Sequence, residues 1–252
     1  LLGEHAVVYG VPALVAGIDR GALARATFSS SDRIRFGKSE LPPEHELSSA
    51  LAALREALGV DPVLLELELE LPAGSGLGAS AALGVAAARA LAALRSVDTS
   101  ERQLLDAVDA WERVFHGNPS GVDAAAAQSG GILRFVRGNA PEPILLRHGF
   151  VLAVALAGPP AATKEMVDGV ARIRARKPEA FEQTLAAITA LVDNAIQCLR
   201  AGDATGLGRL LDLNQMLLSS WMVSTPEIEL ACRVARSNGA LGAKLTGSRG
   251  GG

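Results

Sequence analysis

Residues 72–82 place three glycines between a predicted strand and a predicted helix. The residues before this loop, 63–71, alternate between leucine and glutamate over most of their length, which is typical of a half-buried β-strand. The residues after it, 79–94, are rich in alanine and predict a helix. Glycines allow the backbone to approach a ligand closely, and a helix N-terminus presents free N–H groups and positive potential. The order strand, glycine loop, helix therefore predicts an anion site, most commonly for phosphate.

Two familiar nucleotide motifs fit this loop poorly. A Walker loop requires a lysine after its last glycine, and none is present. The dinucleotide fingerprint fits formally, because Gly76, Gly78 and Ala81 have its spacing and Asp98 lies downstream. However, Asp98 follows a helical stretch and not a second hydrophobic strand, so the βαβ context is missing. A glycine-rich turn without a ligand remains the third interpretation.

The composition limits the classes of function. The 252 residues are 49% hydrophobic and 20% charged, as expected for a globular protein of one large or two ordinary domains. A net charge of -3 and an aromatic content of 4% argue against nucleic-acid binding. No apolar run has the length of a membrane span. Cys198 and Cys232 lack metal-site spacing, which favours a reduced, cytoplasmic compartment. Both termini are predicted to be cuts through a longer protein.

Periodicity and turn residues predict a sheet-rich first half and a helix-rich second half. Ser100 and Gln103 form a capping-box pattern for a helix that ends near Phe115. Residues 139–143 are the best candidate for a linker. Predicted strands cover residues 11–18, 22–28, 131–136, 150–156 and 243–246, and the other predicted helices cover residues 44–58, 124–128, 163–176, 178–200, 204–221 and 226–237.

Three side chains are candidates for the chemistry of a nucleotide site, each with a structural alternative. Ser80, in the first turn of the loop helix, could bind a divalent cation or cap the helix. Glu112 lies near a helix C-terminus, where it could be a metal ligand or a surface residue paired with Arg102 or Arg113. Asp123 follows a rigid Asn-Pro-Ser-Gly turn and could orient or deprotonate an acceptor hydroxyl, or could be an N-cap.

Zinc and hydrolase chemistry are poorly supported. His5 and His116 each lie next to a glycine in a turn, where packing is an alternative to ligand contact. They lack the helical His-x-x-x-His spacing and a third ligand. The sequence around Ser80 lacks the second glycine of a Gly-x-Ser-x-Gly nucleophile motif.

Four segments, at residues 3–10, 72–82, 116–123 and 244–247, resemble in order the motifs of the GHMP small-molecule kinases. The sequences Gly-Glu-His-Ala-Val and His-Gly-Asn-Pro-Ser-Gly-Val-Asp are most similar to those of the family members that act on mevalonate. The resemblance implies ATP-dependent phosphorylation of the primary hydroxyl of mevalonate to 5-phosphomevalonate. The alternatives are a GHMP kinase for phosphomevalonate, a sugar or homoserine, a decarboxylating relative, and a non-catalytic nucleotide-binding module.

The resemblance also implies a role for each matching residue. Asp123 would be the catalytic base or orienting group, and Mg²⁺ would be held by Ser80 and Glu112. The ATP phosphates would be bound by Gly74, Ser75, Gly76, Leu77, Gly78, Ala79 and Ser80. Mevalonate would be bound by Glu4, His5, Ser120, Thr163 and Gly247.

The implied fold is α+β with two domains. Residues 1–145 would form a sheet-rich N-terminal domain similar to ribosomal protein S5 domain 2, and residues 146–252 an incomplete, helix-rich ferredoxin-like domain. The active site would lie in the cleft between them, commonly in a homodimer without membrane or nucleic-acid partners. The sequence departs from the family pattern at Ala79, where serine is common, at Leu69, and at Arg249 in the last motif. The family's lysine shortly before Gly3 would lie upstream of Leu1.

Overall fold

The computed structural model describes residues 1–72, 74–95, 98–158 and 163–247, and it describes only the backbone of residues 163–168. The chain divides into two compact units. Unit 1 comprises Leu1–Gly17, Gly74–Leu77 and Gly131–Gly252, and unit 2 comprises Ile18–Ala73 and Gly78–Gly130. The glycine loop therefore contributes residues to both units, on either side of the peptide bond between Leu77 and Gly78. The domain boundary at residue 145 stays a prediction.

Unit 2 contains a sheet in which parallel and antiparallel strands are mixed. Its strands are β2 (Ala22–Phe28), β3 (Arg33–Phe36), β4 (Ser39–Glu40) and β5 (Val63–Leu69), and their order is β2-β5-β3-β4. β5 runs antiparallel to β2 and parallel to β3. Along β5 the side chains of Val63, Leu65 and Leu67 are buried, as the alternating sequence predicts. The dinucleotide-binding alternative is wrong, because a helix and not a parallel strand follows the loop helix.

The helices of unit 2 cover one side of this sheet with a shared apolar core. They are α1 (Glu46–Leu58), α2 (Ala79–Arg95), α3 (Glu101–His116) and α4 (Val122–Ser129). α2 packs against β2, α3 and α4, and its small residues permit this close packing. Ser100 and Gln103 form the predicted capping box at the start of α3. The fully buried side chains of this core include Leu51, Leu54, Leu65, Leu91 and Trp111.

Unit 1 combines a small antiparallel sheet with a set of helices. The strands β1 (Ala13–Ala16), β6 (Ile132–Phe135) and β7 (Glu142–Pro143) pair in the order β1-β6-β7. A 3₁₀ helix spans Ala6–Tyr9, and the larger helices are α5 (Thr163–Arg176), α6 (Pro178–Ala201), α7 (Ala204–Ser220) and α8 (Pro226–Ser237). Phe181 stacks on Trp221 with ring centroids 4.8 Å apart, and Tyr9 meets the Phe181 ring edge-on at 4.9 Å.

Most predicted helices end within two residues of the observed ones, but several other predictions are wrong. The residues predicted as a linker, 139–143, form a turn and the strand β7, which pairs with β6. Residues 150–156 form no strand, and Val151 is 95% exposed. Residues 243–246 also form no strand, and the Leu245 amide donates to the Gln215 side chain. β3 and β4 were not predicted: β4 has only two residues, and in β3 two arginines alternate with Ile34 and Phe36.

Candidate active site

Close packing of α3 on α2 places Glu112 beside Ser80. The Trp111 indole N–H donates to the backbone oxygen of Ser80 at 3.0 Å. Gly84 makes room for this ring, because a Cβ at that position would lie 2.7 Å from Trp111 Cδ1. Glu112 follows Trp111 in α3, so the contact between Trp111 and Ser80 also places the Glu112 carboxyl group near the N-terminal end of α2. The small residue on α2 therefore decides where the carboxyl group of α3 lies.

Glu112 is a buried acid with unusual electrostatics. Its side chain is 6% exposed, and the Oε1 atom has no hydrogen-bond partner within the described parts of the chain. Burial raises the pKa of Glu112 to about 7; a hydrogen bond from Ser80 opposes the shift, and the charges of Asp123 and Asp109 add to it. The surface alternative for Glu112 is wrong: Arg113 pairs with Asp109 instead.

His116 completes this cluster at the last residue of α3. Its Nε2 atom lies 3.2 Å from Ser80 Oγ and 3.7 Å from Glu112 Oε2. Ser80 is the second residue of α2, inside the helix and not at its cap position. Its hydroxyl group is therefore directed to the acid and the imidazole of α3, which leaves the cap alternative without support.

Asp123 lies against the glycine loop within unit 2. A Cβ at Gly78 would lie 3.2 Å from Asp123 Cβ, and Gly78 has a φ of 71°. The N-cap of α4 is Gly121, and Asp123 is the second residue of the helix, so the N-cap alternative is wrong. A carboxylate in the first turn is favoured by the helix dipole. The Ser120 hydroxyl accepts a hydrogen bond from the Val122 amide at 3.3 Å, which shapes the turn before the helix.

The first part of the glycine loop packs against the last motif within unit 1. Gly76 and Gly247 have φ angles of 72° and 75°. A Cβ at Gly247 would lie 2.5 Å from Gly76 Cα, and a Cβ at Gly76 would lie 2.8 Å from the Thr246 oxygen. Two backbone segments can approach this closely only where both residues lack a side chain. Ser75, between Gly74 and Gly76, is buried at 3% exposure.

The first and last motifs also meet through an ion pair. The Lys244 ammonium donates to Glu4 Oε1 and to the Leu245 oxygen, and the Asn214 amide donates to Glu4 Oε2 at 3.3 Å. Burial raises the pKa of Glu4, but the charge and the hydrogen bond of Lys244 oppose this effect and hold the pKa well below its usual value. Glu4 is therefore an ionised acceptor at neutral pH.

His5 follows Glu4 in a strained backbone conformation. Its φ is 59°, which is uncommon for a residue with a side chain, and the residue is 8% exposed. Burial lowers the pKa of His5, although the charge of Glu4 opposes the shift, so the neutral imidazole is favoured. Backbone strain of this kind requires support from surrounding structure; here the 3₁₀ helix Ala6–Tyr9 follows at once.

The structure brings the predicted site residues into two groups. Ser80, Glu112 and Asp123 meet in unit 2, and Glu4, Gly76 and Gly247 belong to unit 1. Thr163 begins α5, but its side chain lies outside the described residues, as does all of Arg249. Lys244, Asn214 and Gln215 were not predicted as site residues. The partner of Asn214 and Lys244 is Glu4, which lies 210 and 240 residues away in sequence, so no local pattern indicates these contacts.

The donor set in unit 2 fits a divalent cation that is also bound to nucleotide. Within the described residues, no three His, Cys, Asp or Glu side chains form a complete metal site. Mg²⁺, however, is commonly held by one or two protein oxygens together with substrate phosphates. The unpaired Oε1 atom of Glu112 and the hydroxyl of Ser80 are hard oxygen donors of the required kind. A cation at this site would also offset the cost of burying the ionised carboxylate.

The comparison with protein families agrees with this geometry. The chain matches the GHMP kinases N terminal domain over residues 45–131 and the GHMP kinases C terminal domain over residues 195–252. The chain belongs to the GHMP kinase family, and the predicted α+β GHMP kinase fold is confirmed.

Within this family the chain is similar to mevalonate kinases. It is 30% identical over 283 residues to "Mevalonate kinase" of Thermococcus onnurineus, covering 100% of this chain and 84% of that protein. It is 34% identical over 274 residues to the protein of the same name from Aeropyrum pernix, covering 100% and 83%. The crystal structure of L. major mevalonate kinase in complex with R-mevalonate matches 99% of this chain and 81% of that chain, with a TM-score of 0.85 and 29% identity. In the described part of the chain, every helix is too short or too polar to span a membrane.

Proposed function

We propose that this protein transfers the γ-phosphoryl group of ATP to the primary hydroxyl group of mevalonate, forming 5-phosphomevalonate and ADP. The observation that carries the proposal is the cluster of Ser80, Glu112 and Asp123 at the N-terminal end of α2, directly after the glycine loop. Similarity over the full chain to mevalonate kinases supports the choice of acceptor.

The loop provides the phosphate site through its backbone. Gly74, Gly76 and Gly78 all have φ angles between 71° and 75°, which opens the backbone N–H groups of the loop to an anion. The N-terminus of α2 adds the positive end of its dipole. We assign the ATP phosphates to Gly74, Ser75, Gly76, Leu77, Gly78, Ala79 and Ser80.

Ser80 and Glu112 would hold Mg²⁺ together with the phosphates of ATP. The ion would neutralise the charge on the phosphoryl group that is transferred. Glu112 suits this role because the protein alone stabilises its ionised form poorly. A bound cation would therefore stabilise this carboxylate more than it would stabilise an exposed one.

Asp123 would accept or orient the proton of the acceptor hydroxyl. The oxygen then attacks the γ-phosphorus, the bond from phosphorus to the bridging oxygen breaks, and ADP leaves with the electron pair. The acceptor itself would be bound by Glu4, His5, Ser120, Thr163 and Gly247. Glu4 suits a hydroxyl donor because it is ionised, and neutral His5 can both donate and accept.

A coupled ADP assay tests the reaction and the acceptor. With Mg-ATP, mevalonate should be turned over faster than phosphomevalonate, galactose or homoserine, and no carbon dioxide should be released from mevalonate diphosphate. Asp123→Asn should lower kcat by about 10²–10⁴-fold, while the matched control Asp106→Asn, an exposed acid on α3, should remain within about twofold. A mevalonate rate no higher than that of the other acceptors would refute the proposed substrate, and near-normal turnover of Asp123→Asn would refute the role of Asp123.

We also propose that the protein is a homodimer in the cytoplasm, as its family resemblance implies. Light scattering of the purified protein measures its mass in solution and so tests whether it is a dimer. A mass equal to one chain at micromolar concentration would contradict it.

A further inference from the structure

Two consecutive buried amides on α7 have no part in the mechanism proposed above. Asn214 and Gln215 are 0% and 3% exposed. Neighbouring residues of a helix point in directions about 100° apart, so the two side chains reach different parts of unit 1. Buried amides are costly unless they are hydrogen-bonded, and their partners therefore indicate what they stabilise.

Asn214 holds the carboxylate of Glu4. Its Nδ2 group donates to Glu4 Oε2 at 3.3 Å, while Lys244 holds Oε1 of the same carboxylate. The Oδ1 atom of Asn214 is buried and has no partner among the residues that the structure describes. An unpaired buried acceptor destabilises the folded chain. For stability alone, an apolar residue would suit this position better than asparagine. The contact of Asn214 with Glu4 therefore indicates a functional reason for the asparagine.

Gln215 holds the backbone of the last motif. Its Oε1 atom accepts from the Leu245 amide at 2.9 Å, and Leu245 is itself buried. Its Nε2 group donates to Ser224 Oγ and to Glu229 Oε1, both at 2.9 Å. Because both ends of the amide are engaged, the side chain has one orientation, and so has the Leu245 N–H group.

The segment held by Gln215 continues directly to the phosphate loop. Thr246 and Gly247 follow Leu245, and a Cβ at Gly247 would lie 2.5 Å from Gly76 Cα. The contact leaves no free space, so a displacement of Leu245 is transmitted to Gly76. Among the residues that the structure describes, Asn214 is linked to this segment only indirectly, through Glu4 and Lys244.

We propose that Asn214 and Gln215 are positioning residues that act on different substrates, Asn214 on the acceptor through Glu4 and Gln215 on the nucleotide through residues 245–247 and Gly76. The inference rests on the proposed function, in which Glu4 binds mevalonate and Gly76 binds the ATP phosphates. It adds α7, which contains none of the motifs, to the parts of the chain that determine substrate affinity.

The test compares Asn214→Leu with Gln215→Met, since each substitution removes the amide and keeps a similar shape. We expect Asn214→Leu to raise the KM for mevalonate about tenfold, because a displaced Glu4 would lose one hydrogen bond between mevalonate and its charged carboxylate. The KM for ATP should stay within about twofold. Gln215→Met should raise the KM for ATP about tenfold and leave the KM for mevalonate within about twofold. Leu207→Ala, at a buried residue two turns earlier on α7 that belongs to a different core cluster from Leu245, is the control: it should lower the Tm and leave both KM values unchanged.

The separation between the two substrates is the decisive measurement. If both amide variants change both KM values by similar factors, or neither variant changes either value, the proposal is wrong. Titration of AMP-PNP into each variant by calorimetry distinguishes this failure from that of the proposed function. If the wild-type protein does not phosphorylate mevalonate, the proposed function and the Asn214 part of the inference fail together. Weaker nucleotide binding by Gln215→Met, but not by Asn214→Leu, would still support the Gln215 part.

Discussion

Replacing Glu112 with glutamine should make the protein more stable and inactive at the same time. Glutamine has nearly the same shape as glutamate, and its side chain retains groups that bond to the hydroxyl of Ser80. It carries no charge, so the cost of burying an ionised carboxylate disappears. It is also a much weaker metal ligand, so the proposed Mg²⁺ site is lost. Improved stability with loss of function is typical of residues retained for catalysis.

The magnitude follows from the raised pKa of Glu112. A carboxyl group whose pKa rises from 4.5 to about 7 on folding binds its proton more tightly in the folded chain. The free energy of unfolding therefore falls as the pH rises from about 4.5 to about 7, and it is constant above that range. At about 1.4 kcal/mol per pH unit, the total is about 3 kcal/mol. The side chain is 6% exposed, so solvent screening reduces this value little.

Urea denaturation of the metal-free protein between pH 4.5 and pH 8 measures the effect. The variant should exceed the wild type by about 3 kcal/mol at pH 8 and should match it near pH 4.5, with the same m-value. Asp106→Asn, which removes an exposed acid from the same helix, should show no such pH-dependent difference. A Glu112→Gln variant that is less stable than the wild type at pH 8, or equally stable at every pH, would refute the reasoning.

Two further substitutions test the packing and the ion pair. Gly84→Ala should cost about 1–3 kcal/mol, because its Cβ would lie 2.7 Å from Trp111 Cδ1; urea denaturation at pH 7 measures the loss, and an unchanged midpoint would contradict it. Lys244→Met should cost about 3–5 kcal/mol at pH 8, because it leaves the buried charge of Glu4 without its cation. Burial then raises the pKa of Glu4, so the loss should be smaller at pH 5, where the carboxyl group gains a proton; an equal loss at both pH values would contradict this expectation.

The sequence predicts the local elements of the fold better than the pairings between them. The helices α6 and α8 begin at Pro178 and Pro226, as proline at the first helical position indicates. The strand β5 buries every second residue, as its alternation predicts. By contrast, residues 150–156 have the apolar composition of a strand and form none. A strand requires a hydrogen-bonded neighbour, and composition does not show whether one is present.

The same division applies to the candidate site. The turns around Gly76, Gly78 and Asp123 are predictable, because glycine and a rigid turn leave a signal in the residues that form them. The burial of Glu112 is not predictable from α3 alone, since the helical pattern equally fits an exposed acid. It depends on Gly84, which lies in another helix and gives space to Trp111.

The ion pair between Glu4 and Lys244 shows why the electrostatics of the site lie beyond a local pattern. These residues are separated by 240 positions, and each is a charged residue next to a turn, which ordinarily indicates exposure to solvent. Two effects on the pKa of Glu4 then oppose each other: the charge of Lys244 lowers it and keeps the carboxylate ionised, while burial raises it. The balance between these effects is a property of the folded chain. Asn214 adds a hydrogen bond to the same carboxylate from α7, a helix that contains none of the four motifs. Motifs therefore locate the groups that we propose contact substrate, whereas the contacts that set the charge and position of these groups are identified only from the three-dimensional structure.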